Sequence, residues 1–342
     1  MLLSCVSLAA ALGIAAQPGA VESLAMFRGA VDLVQVSGNR AYLIAGPKLS
    51  ILDVSNPAAP RVAGEYMFPE RIYGVRISGH VVYAAVDFQG LAVLDVSNPT
   101  MPALLTTVKL PGQAVGIDLS GSRVMVVNRI SGLEAFDITN PVKPVRVGVH
   151  YADGYALDVA AIGSTALVVD YPNGLVVIDT STPNEPKELG QINLQEKSVQ
   201  IAVSQFTSKA GKRSAIACVV GESGLLQLYD VSNPAAVVRT ATYTTPGPQL
   251  TPILATAAGL RVSMRGSLAY VARGPAGLQI LDLSDPAKPN LVGTFPTAGA
   301  ARDAVATDTH VFVALAEPRG VEPPVAKAAP GNHGVEIFRR KP

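Results

Sequence analysis

The sequence Asp-Val-Ser-Asn-Pro, or a close variant of it, closes six successive segments of this chain. The six copies begin at Asp53, Asp95, Asp137, Asp179, Asp230 and Asp282. Successive aspartates in the first four copies are 42 residues apart, and the last two intervals are 51 and 52 residues. A repeat of this length makes each unit one supersecondary module that packs on its neighbours. The period therefore constrains the fold before any single residue is interpreted.

The second unit shows which strands each repeat contains. Apolar and β-branched runs occupy residues 75–77, 81–86, 91–94 and 103–108, and turn residues such as Gly, Asn and Pro separate them. Runs bounded in this way indicate strands. No segment of the repeats places apolar residues at helical spacing over a useful length. Four strands per repeat of this length predict the blade of a β-propeller.

The two ends of the chain decide the number of blades. Six units end at the six motif aspartates, and a seventh begins at Asp303 and finishes with residues 334–339. Residues 21–28 resemble the outer strand that the seventh unit lacks. We therefore predict an all-β fold, a seven-bladed β-propeller of four-stranded antiparallel blades formed by residues 21–342 as one domain. The N-terminal strand would close the ring and remove its exposed edge. Six blades with an irregular end are the alternative.

The composition supports a packed core and gives no sign of a nucleic-acid partner. Hydrophobic residues make up 49% of the chain and charged residues 15%. Lys and Arg together number 27 against 26 Asp and Glu, which leaves a net charge of +1. A protein that binds a phosphate backbone needs a basic surface, and this balance does not supply one.

The N-terminus predicts export. Residues 2–16 are apolar and small, and no charged side chain occurs before Glu22. We interpret residues 1–16 as a signal peptide, which predicts a periplasmic, secreted or cell-surface protein. The run is shorter than the roughly 20 residues of a membrane helix, so we expect no integral membrane segment in the mature chain. Cys5 falls in this segment, and Cys218, in an apolar run, is expected to be a buried, inert thiol.

Two segments carry a family resemblance. Residues 174–179 read Gly-Leu-Val-Val-Ile-Asp, and residues 277–282 read Gly-Leu-Gln-Ile-Leu-Asp. Both resemble the LVIVD repeat of bacterial and archaeal exported or surface proteins, and the resemblance extends over residues 30–339. The last unit departs from it, because Arg339 stands where aspartate is expected. The resemblance implies a β-propeller outside the cytoplasm. It implies no general catalytic activity and assigns no functional residue.

The repeated aspartates and the histidines are interpreted as structural. A catalytic group is needed once, whereas the motif carboxylates recur in separate blades, and Asp, Ser and Asn before Pro stabilise turns. His80 and His310 occupy equivalent first-turn positions, His150 lies in a connection and His333 in the last insertion. No pair of histidines has ligand spacing and there is no cysteine cluster, so we predict no metal and no cofactor.

A ligand is expected on the face where the repeats disagree. In a four-stranded blade, the connection into the first strand and the loop between the second and third strands emerge on the same face. Asp87, Arg129 and Tyr171 occupy one position in three consecutive units yet differ in charge. A mixed ring of acids, arginines and tyrosines suits recognition of a polar ligand or a partner surface. The predicted binding residues are Arg71, Tyr73, Asp87, Arg129, Asp153, Tyr155, Asp170, Tyr171, Arg273 and Arg302.

Three insertions interrupt the regular period. Residues 243–259 and 317–334 are rich in proline and fall on the same variable face, where loops on a rigid scaffold usually carry binding function. Residues 205–214 include Lys209 and Lys212 and project from the opposite face. We interpret this third insertion as a solvated basic loop.

The sequence favours a binding protein over an enzyme. The preferred hypothesis is a monomeric, exported, non-enzymatic propeller that presents its loop-rich face to a protein or glycan partner. The alternative is a hydrolase or lyase at the mouth of the central channel, with Asp158 or Asp303 as acid or base. No nucleophile elbow and no phosphate-binding loop is found. The sequence names neither the partner nor a substrate.

Overall fold

The computed structural model describes residues 21–182, 184–246, 260–316 and 333–341. These residues form seven four-stranded antiparallel sheets, which we call blades 1 to 7. In blades 1 to 6 the strands follow one another across the sheet in chain order. In blade 7 the N-terminal strand β1 is the fourth strand, and it pairs with the C-terminal strand β28. The predicted seven-bladed propeller, closed by the N-terminal strand, is confirmed. The predicted signal peptide lies outside the described residues.

The strand bounds show how regular the repeat is. Strand β1 (Val21–Arg28) opens the described chain. Blade 1 contains β2 (Leu33–Ser37), β3 (Arg40–Ala45), β4 (Lys48–Asp53) and β5 (Arg61–Met67). Blade 2 contains β6 (Ile72–Ser78), β7 (Val81–Val86), β8 (Gly90–Asp95) and β9 (Ala103–Val108). Blade 3 contains β10 (Ala114–Ser120), β11 (Arg123–Asn128), β12 (Gly132–Asp137) and β13 (Val145–His150).

Blade 4 contains β14 (Tyr155–Ile162), β15 (Thr165–Tyr171), β16 (Gly174–Asp179) and β17 (Lys187–Ile192). Blade 5 contains β18 (Ser198–Thr207), β19 (Arg213–Gly221), β20 (Leu225–Asp230) and β21 (Val238–Thr244). Blade 6 contains β22 (Leu260–Arg265), β23 (Leu268–Arg273), β24 (Leu278–Asp282) and β25 (Asn290–Phe295). Blade 7 contains β26 (Ala300–Ala306), β27 (His310–Ala316), β28 (Gly334–Arg340) and β1. Short 3-10 turns occur at Asp87–Gln89 and Pro234–Ala236.

The core of the protein lies between the blades. The second and third strands of each blade are buried along almost their whole length, whereas the fourth strands are a mixture of exposed and partly buried residues. Between blades 1 and 2, Tyr42 and Ile51 pack in one cluster with Val82 and Leu94. A sheet that is apolar on both faces needs a neighbour on each side. Cys218 belongs to such a cluster between blades 5 and 6, and burial raises the pKa of its thiol to about 12, as expected for an inert cysteine.

The motif aspartates cap turns, as predicted. In all six copies the Asp Oδ1 accepts a hydrogen bond from the backbone N–H two residues on, for example from Ser97 to Asp95 at 2.7 Å. The residue after the aspartate donates its N–H to the hairpin between the first two strands, as Val96 does to the His80 carbonyl at 2.8 Å. The motif thus fastens the two turns at one end of a blade to each other. The backbone bond from Ser97 is the main cause that lowers the pKa of Asp95.

Side chains of one blade also bind the first strand of the next. Each first strand has one edge without a partner strand, because its sheet begins there. Asp118 accepts a hydrogen bond from the Ala161 N–H at 2.8 Å, and Asp158 accepts one from the Ile201 N–H at 3.1 Å. In the same way, the Val262 N–H donates to Gln200 Oε1 and the Val34 N–H donates to Asp303 Oδ2. These side chains satisfy backbone donors that the sheets leave unpaired.

Strand β1 closes the ring through backbone pairing, packing and charge. It pairs antiparallel with β28 along its length, from Val21 opposite Arg340 to Arg28 opposite Gly334. The Ser23 hydroxyl donates to Glu336 Oε1 at 2.7 Å. Leu24 and Phe27 pack on the apolar cluster between blades 7 and 1. Among the described residues, no helix is long and apolar enough to cross a membrane.

We predict that a chain beginning at Gly29 is much less stable than one beginning at Val21. Without β1, strand β28 becomes an exposed edge and the cluster between blades 7 and 1 loses part of its cover. The expected loss is on the order of 3 kcal/mol of unfolding free energy or more, with association of the open edges. Urea unfolding and light scattering would measure both. Equal stability and a monodisperse truncated chain would show that closure is not needed.

A second prediction concerns acid stability. Asp95 has a lowered pKa in the folded protein, so its stabilising contribution is complete above the unfolded value of about 3.9 and is lost as the pH falls through the folded value. The melting temperature of Asp95→Asn should therefore lie below that of the parent protein above pH 5. The gap should close as the pH falls from 4 towards 2. If the difference in melting temperature stays constant over this pH range, the substitution acts through the geometry of the turn and not through the charge of Asp95.

Candidate functional site

The propeller has two distinct faces. The loop face carries the connections into the first strands and the loops between the second and third strands. The motif face carries the Asp-Val-Ser-Asn-Pro turns and the hairpins between the first and second strands. All ten predicted binding residues lie at the loop-face ends of their strands or in the adjoining connections. The described parts of the two proline-rich insertions lie on this face also, and residues 247–259 and 317–332 lie outside the described residues.

A carboxylate that the sequence did not single out links three blades on the loop face. Asp32 Oδ1 accepts from Arg302 Nη1 at 2.6 Å, and Asp32 Oδ2 lies 3.4 Å from Arg71 Nη2. The Gly46 N–H also donates to Asp32 Oδ2, at 3.1 Å. The Arg302 side chain is mostly buried and the Arg71 side chain is half-exposed. Arg302 therefore holds Asp32 in place, and Arg71 is the accessible cation of the group.

The same chain of contacts continues into blade 3. The guanidinium of Arg71 lies 5.7 Å from the centre of the Tyr73 ring. Gln113 Nε2 donates to the Tyr73 hydroxyl at 3.0 Å and to Asp87 Oδ1 at 2.9 Å. We call this continuous series the Asp32 network; its members are Arg302, Asp32, Arg71, Tyr73, Gln113 and Asp87. It brings together four of the predicted residues in one polar surface.

A second group forms a small acidic pocket in blades 3 and 4. Asp170 is only 2% exposed, and the Gly154 backbone N–H lies against its carboxylate. Asn173 donates to Asp170 Oδ2 at 3.3 Å. Burial raises the pKa of Asp170, and the neighbouring Asp153 carboxylate adds to the rise. The pocket encloses about 10 Å³, which is space for one water-sized group, and is also lined by His150 and Glu188.

Large, mainly apolar side chains near this pocket are exposed to solvent. Tyr151 is 74% exposed and Tyr155 is 61% exposed. Tyr171 pairs with Tyr155 across strands β14 and β15 and is exposed as well. Phe88 and Ile130, from the corresponding loops of blades 2 and 3, extend this surface. We call these five residues the apolar band.

Arg129 and Arg273 lie at neighbouring loop-face positions of their blades and differ in burial. Arg129 is exposed, and its backbone N–H donates to the Gln113 carbonyl at 3.1 Å. Arg273 is only 1% exposed; its Nε donates to Thr245 Oγ1 at 2.6 Å and its Nη2 to the Thr245 carbonyl at 2.9 Å. Arg273 therefore holds the connection into blade 6, and the sequence prediction of a partner-facing side chain there does not fit its burial. The sequence does not show which connection will cover which loop.

The two candidate acid–base residues near the channel lie between blades. Burial raises the pKa of both Asp158 and Asp303, while nearby Arg261 opposes the rise. Each carboxylate is already bonded to a backbone N–H of the next blade, Asp158 to Ile201 and Asp303 to Val34. Their geometry assigns them to holding blades together.

The described residues contain no group of three or more His, Cys, Asp and Glu side chains placed to hold a metal. His150, which the sequence placed in a connection, is the last residue of strand β13. Its Nε2 lies 3.4 Å from Glu188 Oε2. His80 is exposed and His310 is partly exposed, both at the motif-face hairpins where the sequence put them.

The comparisons with known proteins agree with this architecture. A model of the LVIVD repeat matches residues 28–68, 73–109, 153–193 and 259–297, which correspond to blades 1, 2, 4 and 6. Four segments of the chain therefore match the LVIVD repeat. The three blades outside these matches share the four-stranded form.

Solved propellers of low sequence identity confirm the fold of this chain. Sqt1 of Saccharomyces cerevisiae is similar with a TM-score of 0.65 at 12% identity, over 94% of this chain and 99% of that one. The computationally designed Ika8 protein is similar with a TM-score of 0.60 at 9% identity, over 93% and 98% of the two chains. At these identities the likeness concerns the fold alone. No functionally curated protein matches the chain.

We predict that Asp170 costs the protein stability at neutral pH. Its raised pKa means that the folded state holds the proton more tightly than the unfolded chain does, so folding is weakened as the pH rises from about 3.9 through the folded value. The melting temperature of Asp170→Asn, relative to the parent protein, should therefore increase between pH 3 and pH 7. Glu185→Gln, at an exposed carboxylate in the motif turn of blade 4 and away from the pocket, is the matched control and should show little change. A difference independent of pH would mean that Asp170 is ionised at no cost.

Proposed function

We propose that this protein is an exported, non-enzymatic propeller that binds a protein or glycan partner through its loop face. The observation that carries the proposal is the apolar band beside the acidic pocket and the Asp32 network. Exposed tyrosines, with arginine and carboxylate groups around them, are the composition of the energetically important part of an interface. The apolar N-terminal segment supports export.

The shape of the face supports a macromolecular partner. The apolar band extends over blades 2, 3 and 4, and the Asp32 network continues it through blades 1 and 7. The described loop-face cavities are small: the acidic pocket holds one water-sized group, and a cavity beside Arg302 encloses about 240 Å³. A broad surface with shallow depressions suits a partner that covers several loops.

Two features favour a protein over a glycan as the partner. Ile130 and Phe88 are aliphatic and aromatic groups at the tips of adjacent loops, where a protein interface buries apolar surface. Arg71, stacked near Tyr73 and half-exposed, supplies a cation for a partner carboxylate. Tyrosines beside carboxylates also suit sugar rings and hydroxyl groups, and the experiment below separates the two classes.

The test compares Tyr151→Ala/Tyr155→Ala with the parent protein. The immobilised protein would capture ligands from the extracellular fraction of its source, and captured proteins and a glycan array would then be measured for direct binding. Removing the two most exposed tyrosines should raise the dissociation constant at least about tenfold. Interface tyrosines contribute on the order of 2 kcal/mol to binding when a partner buries them. Melting temperature should change little, since both side chains are exposed in the free protein.

Met101→Ala is the matched control. Met101 is an exposed apolar residue in the motif turn of blade 2, on the opposite face. It should leave binding unchanged. A partner that binds the tyrosine variant as tightly as the parent protein, or that is lost equally with Met101→Ala, would contradict binding through the loop face. Saturable, tyrosine-dependent binding confined to glycans would assign the second class.

A further inference from the structure

A groove opens on the motif face where the two ends of the ring meet. It lies between blades 6 and 7 and encloses about 740 Å³. One wall is the motif turn and first hairpin of blade 6, and the other is the first hairpin of blade 7 with the end of β28. The lining residues are Ser267, Leu268, Asp282, Ser284, Asp308, Thr309, His310, Arg339, Arg340 and Lys341.

The groove follows from the way in which the ring is closed. In blades 1 to 6 a motif turn joins the third strand to the fourth and covers this end of the blade. In blade 7 the third strand is β28 and the fourth is β1, so the described chain has no such turn there. The backbone bond of the motif survives: Arg340 donates to the Thr309 carbonyl at 2.8 Å, as Leu283 donates to Ser267 in blade 6. The turn is missing, and a depression remains in its place.

The side chain paired with the motif aspartate of blade 6 does not cover the groove. In blades 1 and 3, the residue paired with the motif aspartate is an arginine, Arg40 or Arg123. Each of these arginines donates to a carbonyl of the next blade's motif turn, at Val96 and at Thr180. The corresponding residue of blade 6 is Leu268, which has no donor and lines the groove.

Protruding cations flank the groove on both sides. The hairpin of blade 5 lies against the motif turn of blade 6, since the Lys209 N–H donates to the Ser284 carbonyl at 2.9 Å. It presents Lys209 and Lys212, whose side chains are 69% and 68% exposed. On the other side, the side chains of Arg339 and Lys341 are about half-exposed and share Glu22 as their acidic partner.

The acids in the groove are more recessed than these cations or already engaged. Asp282 is mostly buried and accepts from the Ser284 N–H at 2.8 Å. Asp308 is exposed, and Arg265 donates to it through Nε at 3.0 Å and through Nη2 at 2.6 Å. A ligand that enters the groove therefore meets exposed lysines and arginines, together with two carboxylates that already have cationic partners, Asp282 with Lys209 and Asp308 with Arg265.

We infer that this groove binds an acidic polypeptide segment. Carboxylates spaced along a peptide match the two sets of cations that flank the groove, and the hydroxyl groups of Ser267 and Thr309 can bond its backbone. The described lining holds no Trp, Tyr or Phe on which a base or a sugar ring could stack. Asp282 and Asp308 would repel a polymer that carries a negative charge on every unit. The site is on the face opposite the apolar band and does not depend on the function proposed above.

The probe is a fluorescein-labelled twelve-residue peptide of alternating Glu and Gly, followed by fluorescence anisotropy. The parent protein should bind it saturably at low ionic strength, and the affinity should fall as salt is added. Lys209→Glu/Lys212→Glu reverses two exposed charges beside the groove, and it should weaken binding roughly tenfold. Its melting temperature should stay close to that of the parent protein, since the ion pairs that it removes, Lys209–Asp282 and Lys212–Asp230, involve lysine side chains on the surface.

Lys143→Glu is the matched control, because Lys143 is exposed in the motif turn of blade 3, on the same face but away from the groove. It should leave the affinity within a factor of two of the parent value. Equal losses in Lys143→Glu and in the hairpin variant would overturn the proposal, as would equal binding of a Lys-Gly peptide. Tighter binding of a polyuronate, lost in the hairpin variant, would overturn the assignment to a peptide. Tyr151→Ala/Tyr155→Ala should bind the peptide normally, which separates this site from the loop face.

Discussion

The whole structure depends on the fact that each sheet is apolar on both faces. A blade such as β6–β9 buries its second and third strands against blade 1 on one side and blade 3 on the other. An open row of such blades would leave two apolar faces in water, so the row has to close. Pairing of β1 with β28 completes blade 7 and brings it against blade 1. Closure therefore fixes the position of every loop.

Within this ring, different residues perform the repeated and the unrepeated tasks. The repeated aspartates cap the turns beside them, which is why the same sequence recurs in six blades. Acids such as Asp158 and Asp303 are placed on individual first strands, and they join a blade to the next one. Because these two sets hold the scaffold, residues on the loop face are free to vary from blade to blade. Variation at Asp87, Arg129 and Tyr171 is thus compatible with a constant fold.

The sequence predicts the local features well because their causes are local. The 42-residue period, the four strands and the role of the aspartates all rest on contacts within one repeat. Ring closure was also predictable, since residues 21–28 and 334–339 complement each other as strands. The Asp32 network was not: Asp32 and Arg302 lie 270 residues apart and belong to no period. For the same reason the burial of Arg273 depends on the connection through Thr245, which the pattern of one repeat does not specify.

Closure by two distant strands also makes the ring asymmetric. Any propeller that joins its ends in this way must lose the turn between the last two strands of one blade, and the motif resides in that turn. Arg339 can therefore replace the motif aspartate, because no turn there needs a cap, and it turns instead to Glu22 of the closing strand. The same substitution places positive charge where the other six blades carry negative charge. The pairing of β1 with β28, which removes the exposed edge, thus makes the motif-face end of blade 7 different from that of the other six blades.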